Sequence, residues 1–198
     1  AFLGTPLDDE HVNKLSYNVE KIHHGTPSGI DNTVITYGKP VYFLRHQSIE
    51  TINIAKPFTI IIADTGIPSP TALAVNDVHE AWQNNVAQFE RLFSAIGSLT
   101  KTAYQAIENG YPERLGPLMN ENHELLVEMG VSSPELDRLV AAANADGAVG
   151  AKLSGSGRGG NMIVLTGPDN SDAISQSLHQ AGAVRTIITT IGAQEPLI

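Results

Sequence analysis

Glu20-Lys-Ile-His-His-Gly-Thr-Pro-Ser-Gly-Ile-Asp31-Asn32 brings two carboxylates and a chain break into one short stretch, and nothing else in this sequence constrains the fold as much. Leu15, Val19 and Ile22 recur at helical spacing up to it, so Glu20 reads as part of the last turns of a helix. Gly25, Pro27 and Gly29 then interrupt regular structure, and the β-branched run over residues 30–37 predicts a strand. The helix would carry one acid, and the break would aim the other back toward it. Phosphoryl transfer needs such a pair, one oxygen ligand for Mg²⁺ and one acceptor for the proton of an attacking hydroxyl. Each acid also has a plainer reading: Glu20 as a solvated helix face, Asp31 as a turn residue at a strand start.

With 198 residues the chain can form one domain or two small ones around a real core. Its 41% hydrophobic and 17% charged residues describe a soluble globular protein, not a disordered one. A net charge of −9 without a dense basic run argues against nucleic acid as a general partner. There is no cysteine, hence no disulfide framework and no thiolate metal site, which fits a reducing, cytoplasmic location. The apolar runs are far below membrane-spanning length, so no membrane partner is expected.

Ala1-Phe-Leu-Gly4 reads as a helix end stopped by Gly4, with Pro6 beyond it and Asp8 or Asp9 capping the next helix. A chain opening this way is expected to be a fragment. Gly38-Lys39-Pro40 makes a turn, residues 41–44 return as a hairpin partner, and residues 48–54 form a further strand. Residues 58–63 are a nearly all-apolar strand of the doubly buried kind. Helices are expected over 71–97, 99–109, 112–129 and 134–144, with Pro112 and Pro134 in first-turn positions. Strands over 148–153 and 161–166, a helix over 171–181 and a strand over 184–190 complete an α/β (α+β) pattern. The seam at Lys56-Pro57 divides residues 1–56 from 57–198. His23 and His24 diverge on a helix end without a third ligand, which argues against zinc. His79, His123 and His179 read as surface or core-edge. Trp82 and Phe89, seven apart, read as one core-facing helix stripe, and Asp77, Glu80, Glu121 and Glu124 as exposed helix charges.

A second chemical feature is Lys152-Leu-Ser-Gly-Ser-Gly-Arg-Gly-Gly-Asn161, between two expected strands. Its glycines let backbone N–H groups approach an anion, Ser154 and Ser156 add hydroxyls, and Lys152 and Arg158 add positive charge. It is neither a P-loop nor a dinucleotide fingerprint. Composition leaves phosphate binding and a structural hairpin loop both open.

Taken together, the chain resembles the C-terminal part of the GHMP kinases, and within them the mevalonate kinases. His24-Gly-Thr-Pro-Ser-Gly-Ile-Asp31-Asn32, with Glu20 eleven residues upstream of Asp31, is similar to the segment that holds that family's catalytic aspartate. Asp64-Thr65-Gly66 with Thr71 and Val75 resembles the strand-to-helix passage of its second domain. Residues 150–160 resemble its last glycine-rich motif, and Gly130-Val-Ser-Ser-Pro-Glu-Leu-Asp137 leads into it.

The resemblance implies a ferredoxin-like plait domain over 57–198, an antiparallel sheet covered by helices, preceded by the tail of an N-terminal domain over 1–56. It implies ATP, Mg²⁺ and mevalonate as ligands in isoprenoid precursor synthesis. Asp31 would act as base on the primary hydroxyl and Glu20 would contact Mg²⁺. Gly155, Ser156, Gly157 and Gly159 would line the nucleotide phosphates, and His24, Ser28 and Thr65 would lie near the substrate. Arg158 stands where many relatives have glycine and Asn161 where many have cysteine. The family's main phosphate loop and its N-terminal lysine have no counterpart, so roughly 110–130 residues, a small domain's worth, would precede Ala1 and this chain alone would be inactive. The hairpin at Val34 and Val41 would then expose a sheet edge, through which a homodimer would form. Alternatives are another GHMP kinase, acting on a related alcohol or a phosphomevalonate, and a non-catalytic binding or regulatory module. The dispersed Lys21, Lys39 and Arg45 mildly favour a neutral alcohol.

Overall fold

Asp8 starts the first helix by accepting the N–H of His11 at 2.8 Å, and α1 (Asp9–His24) follows. The computed structural model describes residue 4 and residues 6–24, 27–44 and 47–192, and the side chains of residues 23 and 24 fall outside that description. The helix end read over residues 1–4 lies, apart from Gly4, outside the described residues, as does Arg45. The chain divides into two compact units, Ala1–Asn53 and Ile54–Ile198.

The first unit corrects the sequence reading. Ile30–Tyr37, expected as a strand, is a helix, α2. Two glycines in left-handed conformation bracket it, Gly29 (φ 91°) before and Gly38 (φ 58°) after, and the Gly38 N–H closes on the Val34 carbonyl at 2.9 Å. Inside, the Thr33 hydroxyl donates back to the Gly29 carbonyl at 2.6 Å, and the Asn32 amide donates to the side-chain oxygen of Asn13 on α1. Tertiary hydrogen bonds thus outweigh the β-branched propensity of the run. With Val34 on a helix, the expected hairpin edge disappears. Val41 pairs with Thr51 instead, in a two-stranded ribbon of β1 (Val41–Tyr42) and β2 (Glu50–Thr51).

The second unit is built on a four-stranded antiparallel sheet in the order β4-β5-β3-β6. Its strands are β3 (Phe58–Asp64), β4 (Gly150–Ser154), β5 (Asn161–Thr166) and β6 (Arg185–Ile191). The helices are α3 (Thr71–Asn84), α4 (Val86–Glu108), α5 (Leu115–Glu128), α6 (Pro134–Ala145) and α7 (Ser171–Gln180). One sheet face, carrying Ile61, Ala63, Leu153, Met162 and Val164, packs on Leu136 and Leu139 of α6 and Ile174 and Leu178 of α7. Burial of these side chains is the main stabilising term of this unit. The opposite face, with Phe58, Ile60 and Leu165, meets Ala103 and Ala106 of α4 and Leu115 and Met119 of α5.

One helical boundary moves. The continuous helix expected over 71–97 breaks at Asn85, whose side chain caps α4 by accepting from Gln88 N–H, and α4 runs through the gap expected before residue 99. Trp82 and Phe89 therefore sit on different helices. Trp82 donates to Glu90 on its rim at 3.1 Å, whereas Phe89 is buried. No helix among the described residues is long and apolar enough to cross a membrane.

Candidate active site

The glycine-rich loop runs from the end of β4 to the start of β5. Gly155, Gly157, Gly159 and Gly160 all have positive φ, and so does Arg158 at 61°. Two of these glycines are packed against the protein. A Cβ at Gly157 would sit 1.8 Å from the Val131 carbonyl oxygen, and one at Gly159 would sit 2.8 Å from that of Ile67. Gly155 differs, because a Cβ there would meet nothing within 4 Å. The N–H groups of Arg158 and Gly160 are used internally, by Val131 and Ile67 carbonyls at 2.8 Å each. Those of Gly155, Ser156 and Gly157 take no part in these bonds. The loop is thus anchored at Gly157 and Gly159 and open at Gly155, where no Cβ hinders the approach of an anion.

Hydroxyls gather beside it. Ser156 Oγ lies 2.7 Å from Ser69 Oγ and 3.2 Å from Thr71 Oγ1, and Ser69 donates to the Gly157 carbonyl. Thr71 opens α3, whose Pro70 cap leaves the first N–H groups without a side-chain acceptor. The sequence reading passed over Ser69. Its signal was the pair of hydroxyl residues flanking a proline at the start of a helix.

The positive charge expected at the loop is otherwise engaged. Arg158 forms an ion pair with Asp77 of α3, so Asp77 is more than an exposed helix charge. Lys152 Nζ donates to the Leu153 carbonyl at 2.7 Å and lies on the sheet face toward α4 and α5. Loss of surrounding water lowers its pKa from 10.5 to about 8. Thr65 is buried under the loop, donating to the Gly160 carbonyl at 2.9 Å and accepting from the Ile67 N–H at 3.3 Å. Its hydroxyl fastens the loop.

His123, read from sequence as surface or core-edge, is buried beneath the same region. Its Nδ1 accepts from Leu153 N–H at 3.4 Å, and its Nε2 lies 3.3 Å from Asp137, which also accepts from Ser132. Burial pushes its pKa below 6.5, against the opposing pull of Asp137.

In the first unit Glu20 is half-buried on α1, and Asp31 is exposed in the first turn of α2. A carboxylate there is favoured by the partial positive charge of the helix start. Ser28 accepts from the Ile30 N–H at 3.2 Å, which fixes the turn into α2. His24 ends α1, and its side chain lies outside the described residues. Among the described residues no three His, Asp or Glu side chains gather to hold a metal.

The family model described as "GHMP kinases C terminal" matches residues 103–184. Mevalonate kinase of Thermococcus sibiricus is 33% identical over 196 residues, covering 96% of this chain and 58% of that protein. Mevalonate kinase of Pyrococcus horikoshii is 34% identical over 190 residues, 93% of this chain and 56% of its own length. The crystal structure of L. major mevalonate kinase in complex with R-mevalonate superposes with a TM-score of 0.87 at 37% identity, covering 96% of this chain and 60% of that one. The chain thus spans 56–60% of the length of these relatives. With identity above 30% along almost all of its residues, the chain belongs to the mevalonate kinase family of GHMP kinases.

Proposed function

We propose that this chain is the part of an ATP-dependent mevalonate kinase that carries the base, the metal ligand and the last phosphate-binding loop. The observation that carries the reading is its 37% identity and 0.87 TM-score to a mevalonate kinase that binds R-mevalonate. Asp31 takes the proton from the primary hydroxyl as its oxygen bonds to the γ-phosphorus, and the bond to the departing ADP oxygen breaks. Gly155, Ser156 and Gly157 offer backbone N–H and hydroxyl donors to the nucleotide phosphates, with Gly159 shaping the loop. Ser69 and Thr71 extend that donor set. Glu20 is the residue that would hold Mg²⁺, which when bound neutralises phosphate charge. Ser28 and His24 set the turn that presents Asp31. Thr65 acts by holding the loop. The openness around Gly155 and the hydroxyl cluster at Ser156 support the nucleotide assignment.

The test is mevalonate-dependent ADP release, measured for this chain and for the complete product of its gene. We expect turnover by the complete product and little from the 198 residues alone. Asp31→Asn should lower kcat by roughly 10²- to 10⁴-fold with a smaller change in KM. Turnover of phosphomevalonate in place of mevalonate, or unchanged kcat in Asp31→Asn, would overturn the assignment.

A further inference from the structure

The sheet face opposite α6 and α7 holds a cavity of about 340 Å³ that the phosphoryl-transfer reading does not use. Its walls are mainly apolar, with Ile60 and Ile163 from the sheet, Ala103 from α4, and Leu115 and Met119 from α5, while Thr100 and Asn122 add two uncharged polar side chains. One charged side chain lines it, Lys152. Its ammonium donates to the neighbouring Leu153 carbonyl at 2.7 Å, and no carboxylate among the described residues lies within ion-pairing distance. Lysines are seldom drawn out of water without an acidic partner, because the desolvation of the charge goes uncompensated. A cavity of this size, mostly apolar with a few polar groups, has the usual make-up of a small-ligand site.

We propose that this cavity binds a medium-chain alkyl carboxylate, with its tail against Ile60, Ala103 and Met119 and its carboxylate paired with the Lys152 ammonium. The tail buries apolar surface at both partners, and the head supplies the missing counter-charge. A single cation matches a single negative charge, which favours a carboxylate over a doubly charged phosphate. The low-polarity walls strengthen that pairing relative to one made in water. The site stands independently of the nucleotide assignment, since it needs none of the loop residues.

Isothermal titration of the 198-residue chain with octanoate, and separately with 1-octanol, tests this. Octanoate should bind saturably at one site and about tenfold or more tighter than octanol, the range expected for a charge-assisted bond. Lys152→Met, of similar length and apolar, should remove that advantage while octanol binding persists, which also certifies a folded cavity. Ala103→Leu, which fills the space, should weaken both. Absence of saturable octanoate binding to the unsubstituted chain would overturn the proposal. So would equal affinity for the two probes, or octanoate binding indifferent to Lys152→Met.

Discussion

Gly155 and Gly157 are two positions apart and have opposite surroundings. A methyl group at Gly157 would collide with the Val131 carbonyl 1.8 Å away, and the residue also sits at φ 76°. Gly157→Ala must therefore move backbone, and we expect a loss of about 3 kcal/mol or more. At Gly155 the methyl has open space, so Gly155→Ala bears only the strain of φ 84°, about 1 kcal/mol. The new methyl would occupy the approach proposed for phosphate, and ADP affinity should fall about tenfold, a loss of roughly 1.4 kcal/mol. Thermal unfolding and ADP titration of the two variants separate the cases; a Gly155→Ala protein less stable than Gly157→Ala would contradict this account. Lys152 allows a second expectation at this scale. Its amine titrates near 10.5 when unfolded and at about 8 when folded, so between those values the unfolded chain holds a proton that the folded chain has released. Stability contributed by this group therefore rises from pH 8 to pH 10.5, by up to about 3 kcal/mol. Urea unfolding of Lys152→Met should show a flatter pH dependence in that window and greater stability at pH 7. An unaltered slope would show that Lys152 is not desolvated.

His123 joins three elements, since its helix, α5, meets β4 through the Leu153 N–H and reaches Asp137 of α6 through Nε2. The unfolded imidazole titrates near 6.5 and the folded one lower. Its contribution to stability is thus complete above pH 6.5 and lost as pH falls from 6.5 through the folded value. His123→Gln, which keeps an acceptor and a donor, should lessen the fall in unfolding free energy between pH 7 and pH 5; an identical fall would exclude His123 as its source. Most elements of this unit were legible beforehand, because apolar periodicity decides them: β5 falls on residues 161–166 as read, and the proline-started α6 within one residue of its expected end. The misreadings have separate causes. Ile30–Tyr37 is β-branched, yet the flanking caps Gly29 and Gly38 and the bond from Asn32 to Asn13, far off in sequence, make it helical. The break at Asn85, by contrast, is a single capping residue inside an otherwise uninterrupted helical pattern. At the candidate site, glycines and hydroxyls were visible as composition. That Lys152 turns to the other side of the sheet and Arg158 to Asp77 was not, because the side on which a side chain leaves a strand or loop depends on register and on distant partners.

The two units are stabilised unequally. Among the described residues every buried hydrophobic side chain, from Ile61 to Ala183, belongs to Ile54–Ile198. In the first unit the buried side chains among the described residues are Asn32 and Thr33, both polar and held by Asn13 and Gly29. Hydrogen bonds contribute about 1 kcal/mol each once exchange with water is counted, well short of the cost of ordering some fifty residues. Ile22 and Ile35, each 81% exposed, add nothing to that unit's own core. Residues 54–198 expressed alone should therefore unfold in urea as one cooperative transition, at nearly the midpoint of the main transition of the whole chain. Residues 1–53 alone should show little helix by circular dichroism, because fragments of that size seldom stand without a core. A non-cooperative 54–198, or a stably helical 1–53, would mean that the stability of the chain does not follow its buried apolar surface. Asp31 and Glu20 both lie in Ala1–Asn53, so the proposed base and metal ligand are carried by the part of the chain whose described residues bury no apolar side chain.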